Sequence, residues 1–189
     1  RIKRALDTTA LPVSIADADG TVVYANDALR AVLRRDADAF RRDLPGFDPE
    51  RVVGGSIGMF HKDPAAAVDR LRALRENVTA TMQLGGRTYD VTTTPILDER
   101  GQQQGTVAQW ADRTEQLAAE AELATVADGA VNGDLRLRIS LDGKQGFFRV
   151  ICENLNNLLE TLGRTFGEVR LAAQHLTAAS SQVSSTSQS

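Results

Sequence analysis

His61 stands in the stretch GSIGMFHKDP, straight after Met59 and Phe60 and ahead of Pro64. The only other histidine is His175, the only cysteine Cys152 and the only tryptophan Trp110, so few side chains here are equipped for chemistry. A neutral imidazole nitrogen can hold a metal, and an indole N–H can only donate a hydrogen bond. Met59 and Met82 carry thioethers that could ligate iron, but methionine in such settings is usually packing. Cys152 has no histidine near it in sequence and reads as a helix-flanking position, which argues against a catalytic thiol. His175 adjoins Leu176 on the flank of a helical pattern. The chain lacks H-E-x-x-H, C-x-x-C and G-x-x-x-x-G-K-[ST]. GGSIG at 54–58 has no lysine for a phosphate, and DADG at 17–20 opens like a calcium loop but has Ala28 where the bidentate glutamate belongs. Nothing argues for hydrolysis, phosphoryl transfer or hydride transfer, and the expectation is a protein that is not an enzyme.

The elements that must position His61 and Trp110 follow from periodicity. LPVSIADADGTVVYAN predicts a strand over 12–16, a turn over 17–20 and a second strand over 21–25. Asn26 then caps a helix with Leu29, Val32 and Leu33 on one face. A short turn carries His61, and Pro64 opens a helix bearing Val68, Leu71 and Leu74. In NVTATMQL, Val78, Ala80, Met82 and Leu84 alternate with polar residues, the mark of a half-buried antiparallel strand. GG at 85–86 and DERGQQ at 98–103 reverse the chain into RTYDVTTTPIL and QGTVAQWAD. The order implies an α+β domain: an antiparallel sheet with helices gathered on one side. Trp110, read here on an edge strand, shares a face with Thr106 and Ala108, whose small side chains leave room for something flat. Apolar Val78, Ala80, Met82, Leu84 and Val91 would wall that space, with Ile57, Val68 and Leu71 on the helical side.

From about Thr114 the pattern turns helical. RTEQLAAEAELATVADGAV is rich in Ala, Glu and Leu, with Gly129 and Gly133 marking its end, and NGDLRLRISLDGKQG connects it to a second helix. From Phe148 to Thr186, apolar or small residues recur at alternating spacings of three and four, a sustained heptad seam. Such a seam must bury itself against partner helices, so self-association is expected. A net charge of −3 gives no positive field for nucleic acid. The arginine pairs 34–35 and 41–42 lie among Asp36, Asp38 and Asp43 and read as a solvated helix face. A lone cysteine and the lack of a long apolar run point to a soluble segment of a reducing, cytoplasmic compartment. The start at Arg1, and an end inside a helical pattern, suggest an excised fragment.

Residues 5–116 resemble a PAS domain in strand order, in the "ADG..VYAN" entry to the helices and in the closing GTVAQWADRTE. LPGFDPERVVGGSIGMFHKDPA, GGRTYDVTTTPI and GTVAQWADRT are most similar to the PAS domains of bacterial chemoreceptors, the methyl-accepting chemotaxis proteins. The resemblance implies a five-stranded sheet and an Asp-x-Thr turn, Asp112-Arg113-Thr114, feeding a signalling helix. Within the soluble aerotaxis subset it implies haem b, with His61 as iron ligand on a short helix after the Phe-His-Lys turn. Trp110 would donate its indole N–H to bound oxygen, and CO or NO are further candidate gases. Val91 would pack on the distal side where a leucine is expected, and Lys62, Arg70 or Arg87 would meet the propionates. Signal would leave through Trp110, Asp112 and Thr114. The second half resembles a HAMP module with its GDL connector, giving the division 1–116 sensor, 117–165 HAMP-like helices and 166–189 start of the receptor coiled coil. A homodimer, a histidine kinase and a coupling protein are the implied partners. The competing expectation is a PAS module that is haem-free, holds a small organic ligand or flavin, or serves purely as a relay. Flavin is the weaker of these, because aromatics are 5% of the chain and the PAS half has no cysteine.

Overall fold

The computed structural model describes residues 2–187. The chain divides into two compact units, Arg1–Glu115 and Gln116–Ser189.

In the first unit a short helix, α1 (Ile2–Asp7), which the sequence reading did not anticipate, precedes β1 (Val13–Asp17) and β2 (Val22–Ala25). Helices α2 (Asp27–Arg35), α3 (Ala37–Asp43) and α4 (Pro64–Ala73) follow, with short 3-10 turns at Pro49–Arg51 and Ile57–Phe60. The unit closes with β3 (Val78–Leu84), β4 (Arg87–Leu97) and β5 (Gln103–Asp112). All pairings are antiparallel and the order is β2-β1-β5-β4-β3. The expected five-stranded PAS fold is therefore present, with one correction: β5 and its Trp110 lie at the centre of the sheet and not on an edge.

Local chemistry explains the boundaries. Asn26 is extended, and its Oδ1 accepts from Leu29 N at 3.0 Å to start α2. Asp63 caps α4 through Ala66 N, and Pro64 occupies the first turn, where its missing N–H costs nothing. At the β3–β4 reversal Gly85 and Gly86 have φ of 61° and 76°, left-handed values that glycine adopts without steric penalty.

The core joins the sheet to α2 and α3 through Leu29, Leu33, Phe40, Leu84, Tyr89 and Trp110, all at most 5% exposed. Five of the nine aromatic residues close a ring of ring-to-ring contacts: Phe40, Phe47, Phe60, Trp110, Tyr89 and back to Phe40, with centroids 5.0–6.1 Å apart. The near-perpendicular Phe60–Trp110 and Phe40–Tyr89 pairs are the geometry that aromatic quadrupoles favour. β3 departs from expectation. Its alternation is present, yet only Leu84 is buried, because Val78, Ala80 and Met82 border a cavity rather than packed side chains.

The second unit comprises α5 (Thr114–Val131), an irregular connector and α6 (Gly146–Thr186). Val126, Ile139, Cys152 and Leu159 form its small core. Asn156 holds the connector by accepting from Ile139 N and donating to Ile139 O, both at 2.9 Å. Lys144 Nζ reaches Glu122 at 2.7 Å. Cys152, read from sequence as a flank, is fully buried in this core. The packed side of α6 thus takes Phe148 and Leu155 from the seam and adds Cys152 and Leu159, each one position past a seam residue. Ile151, Leu158, Val169, Leu176 and Val183 stay exposed.

Candidate functional site

The inner sheet face is packed at one end by the aromatic ring. Elsewhere it bounds a cavity of about 490 Å³, within the usual range of roughly 300–1,000 Å³ for small-molecule and cofactor sites. Trp110 and His61 both line it. So do Val91, Ile57 and Leu71. Val91 is the direct partner of Trp110 across the β4–β5 pairing, and Ala80 is the partner of Val91.

Val68 does not belong to this wall. Its methyls lie where a side chain on Gly20 would be, at 3.2–3.3 Å from the ideal Cβ position, so it seals α4 onto the β1–β2 turn instead. Ala67, Arg70, Leu71, Ala73 and Leu74 are the α4-side residues that reach the cavity. Leu84 likewise lies in the packed core and not on the cavity. Of the three candidate anion partners only Arg70 lines the space. Arg87 is engaged by Asp112 at 2.8 Å and by Asp36 at 3.4 Å.

His61 is placed by the 3-10 turn before it. Ser56 Oγ accepts from Gly58 N at 3.1 Å to start that turn, and His61 N donates to Gly58 O at 2.9 Å to end it. His61 itself is extended, with φ −122° and ψ 148°, so it follows a helical turn rather than sitting on a helix, and it is exposed at the cavity margin. Partial burial, then the Arg70 guanidinium, hold its pKa below the usual value, which keeps the imidazole neutral near pH 7 with a lone pair free to ligate. Gly58 lets this turn meet α4: a Cβ there would stand 2.8 Å from Pro64 O and 2.9 Å from Pro64 Cα. Gly58→Ala is therefore expected to push the His61 loop off α4, costing about 1–3 kcal/mol by overpacking. Thermal melts, with cavity binding measured beside them, check it.

Trp110 is 5% exposed, and its Nε1–H is buried with no acceptor among the described residues. An unmade hydrogen bond of that kind costs about 1–3 kcal/mol. An acceptor that entered the cavity and drew the indole toward it would recover part of that cost. Around Ala108 the sheet carries further polar groups. Ser14 on β1 and Thr93 on β4 are its direct cross-strand partners, and Thr106 is the next inward residue along β5. All three line the cavity.

Two residues beyond Trp110 the chain leaves the sheet. Asp112 Oδ1 accepts from Thr114 N at 3.0 Å, Thr88 N donates to Thr114 Oγ1 at 2.9 Å, and Arg113 N donates to Thr88 O at 2.8 Å. Burial pushes the Asp112 carboxyl up, but hydrogen bonds from Thr114 and Arg87 outweigh it and leave the group below its usual pKa. Sequence reasoning missed the neighbour of this turn: Asp36, 8% exposed, accepts from Tyr89 Oη at 2.8 Å and from Arg35 at 2.7 Å. Tyr89 in turn packs edge-on against Trp110.

No group of three or more His, Cys, Asp or Glu side chains converges as a metal cage among the described residues. A haem iron would ask the protein for as little as one ligating side chain, a need that such a cage does not measure. No helix among the described residues is long and apolar enough to cross a membrane.

Methyl-accepting chemotaxis protein McpB of Pseudomonas aeruginosa is 36% identical over 169 residues, 89% of this chain and 25% of that protein. The chain thus spans about a quarter of that relative's length. Among solved structures, the Aer2 receptor from Vibrio cholerae, described as a dual PAS-heme oxygen sensor, is 27% identical with a TM-score of 0.47, covering 54% of this chain and 93% of that one. The PAS domain of Bordetella pertussis BvgS is 24% identical with a TM-score of 0.45, covering 68% and 95%. A family model described as PAS fold matches residues 6–118, more than half of the sequence. With that match, and with the sheet order and helical insertion described above, the chain belongs to the PAS-fold family.

Proposed function

We propose that this chain is a sensory piece of a chemotaxis receptor whose PAS cavity binds haem b on His61 and, through it, a diatomic gas, with oxygen the first candidate and CO and NO as further ligands. One observation carries the reading: a neutral histidine and a tryptophan whose buried N–H has no acceptor among the described residues line the same apolar cavity. The residues fit the group. His61 offers the nitrogen, Val91, Ile57 and Leu71 offer apolar walls, and Arg70 offers a cation that no carboxylate of the chain engages among the described residues. If held by His61 alone, haem would supply the iron that meets a gas.

The chain's own work is orientation and relay. Trp110 donates to an acceptor in the cavity, and its movement acts on Asp112 and Thr114, one residue and three residues past Ala111. The exposed apolar seam of α6 pairs with a second copy, and a gas that prefers one of two helix packings shifts the population toward it. The 36% identity to a chemotaxis protein supports a role in the cytoplasm upstream of a histidine kinase and coupling protein, reached through parts of the receptor beyond this segment, with α5, the connector and α6 as a HAMP-like relay. No catalytic step is assigned to the chain.

The test is spectroscopic. Protein expressed with haem is expected to be red, His61→Ala to lose haem on purification, and Trp110→Leu to keep haem while binding oxygen about tenfold more weakly relative to CO, the worth of one hydrogen bond. Normal haem content in His61→Ala would remove the ligand assignment. A haem-free module for a small organic molecule is the second reading, favoured by the exposure of His61 and the hydroxyl groups on the cavity floor. Colourless protein that stays colourless with added haem would select it.

A further inference from the structure

Three hydroxyls open onto the cavity from the sheet: Ser14, Thr93 and Thr106. Ser14 and Thr106 are 8% and 5% exposed and neither has a side-chain partner among the described residues, so what enters the cavity is what can pair their hydroxyls. The pairing register arranges them. Ser14 and Thr93 flank Ala108 from β1 and β4, Thr106 precedes it by two residues on β5, and Trp110 follows it by two. Diagonal neighbours on adjacent strands have Cβ atoms somewhat under about 7–8 Å apart, so the hydroxyls of Ser14 and Thr106 can converge on one atom beside the Ala108 methyl, while Thr93, two strands away from Ser14, stands on its other side. Every neighbour of that methyl on the floor can hydrogen-bond, while the flanking wall of Val78, Ala80, Met82 and Val91 cannot.

We propose that this hydroxyl ring is a subsite for a neutral oxygen atom, such as the hydroxyl or carbonyl of an organic ligand or a small oxygen-bearing molecule held beside a cofactor. Hydroxyls both donate and accept, so they take either kind of oxygen, whereas the Trp110 N–H only donates. No cation borders the ring, which disfavours a carboxylate there; Arg70 is the cavity's cationic group and comes from α4. A site with buried hydrogen-bonding groups rejects an apolar analogue because those groups are then left unpaired. The subsite rests on the cavity being a ligand site and does not need haem as the occupant.

Phenol and toluene, nearly equal in shape, are the probes, titrated calorimetrically into the haem-free 189-residue chain. The ratio of phenol to toluene affinity is expected to fall about tenfold in the Ser14→Ala/Thr106→Val double variant, as two hydrogen bonds are removed. Thr93→Val, across Ala108 from Ser14, should change it by less than about twofold. If the double variant does not fold, Ser14→Ala and Thr106→Val alone should each show about a threefold fall. An unchanged ratio on removal of the Ser14 and Thr106 hydroxyls, equal loss of both probes, no binding of either probe to the unsubstituted chain, or a fall seen only in Trp110→Phe would each overturn the subsite. Haem loading of the unsubstituted chain is scored separately. Haem retention with an unchanged ratio sinks the subsite and keeps the haem reading, and a fallen ratio without haem retention does the reverse.

Discussion

Asn26→Ala is expected to lower the unfolding midpoint of the sheet-bearing unit by about 15 °C, the largest effect of any single polar substitution in the chain. Asn26 is fully buried and joins three segments. Its Oδ1 accepts from Val13 N at 2.9 Å and Leu29 N at 3.0 Å, tying the start of β1 to the start of α2. Its Nδ2 donates to Leu11 O at 2.8 Å, Leu6 O at 3.0 Å and Thr9 Oγ1 at 3.2 Å, fixing the segment that enters the sheet. Alanine removes a helix cap, worth about 1 kcal/mol, and strands several buried backbone groups at about 1–3 kcal/mol each, partly relieved by relaxation. The sum is about 3 kcal/mol or more, and a shift of about 4–8 °C per kcal/mol gives the quoted change. Trp110 is the only tryptophan, so its fluorescence follows this unit alone. Asn26→Asp keeps the acceptor and should fall in between. A drop below about 4 °C for alanine would show that the network is not structural.

The second large effect is expected at Asp36. Its pKa is held below the usual value first by the hydrogen bond from Arg35, then by Tyr89 and Arg87, against the opposing cost of burial. A carboxylate depressed in this way binds fewer protons folded than unfolded. Its stabilisation is therefore complete above the ordinary carboxylate pKa of about 4 and is lost as pH falls through the lower folded value. Asp112, also depressed, acts in the same direction. Stability should thus decline as pH drops below about 4, and Asp36→Asn should flatten that decline in urea titrations at a series of pH values. Asp36→Ala should also cost about 2–3 kcal/mol, because it leaves the buried Tyr89 hydroxyl unpaired and removes one of the two carboxylates, Asp36 and Asp112, that Arg35 and Arg87 share. Tyr89→Phe should cost only about 1 kcal/mol, since it removes the donor with its need. Equal losses from the two variants would contradict this account.

The strands were legible because alternation is local: Val78 to Leu84, and Thr106, Ala108 and Trp110, appear on the faces that period two assigns them. The Asn26 cap and the Pro64 helix start were legible for the same reason. Sheet order was not. Nothing near Trp110 in sequence states that β1 will pair on the far side of β5, which is what moves the tryptophan from edge to centre. Val68 failed as a wall residue because α4 opens on PAAAV, where alanines and valine are all apolar and the helical period cannot choose a face. Packing against Gly20 chooses it. Asp36 read as one charge in a solvated run because its decisive partner, Tyr89, lies 53 residues away. The cavity was readable only as a list of candidate walls; the hydroxyl ring needed the register of three strands.

β3, one of the two edge strands, is bonded to β4 alone, while β5 is gripped on both sides. Both border the cavity, but only β5 runs into the exit turn. Peeling an edge strand breaks one ladder and exposes little that is packed, so it is among the cheaper local openings a sheet can make. Traffic of ligand past β3 therefore need not disturb the strand that reports its arrival. Substitutions along Val78, Ala80 and Met82 should alter how fast an occupant exchanges, and those along β5 what its presence means downstream.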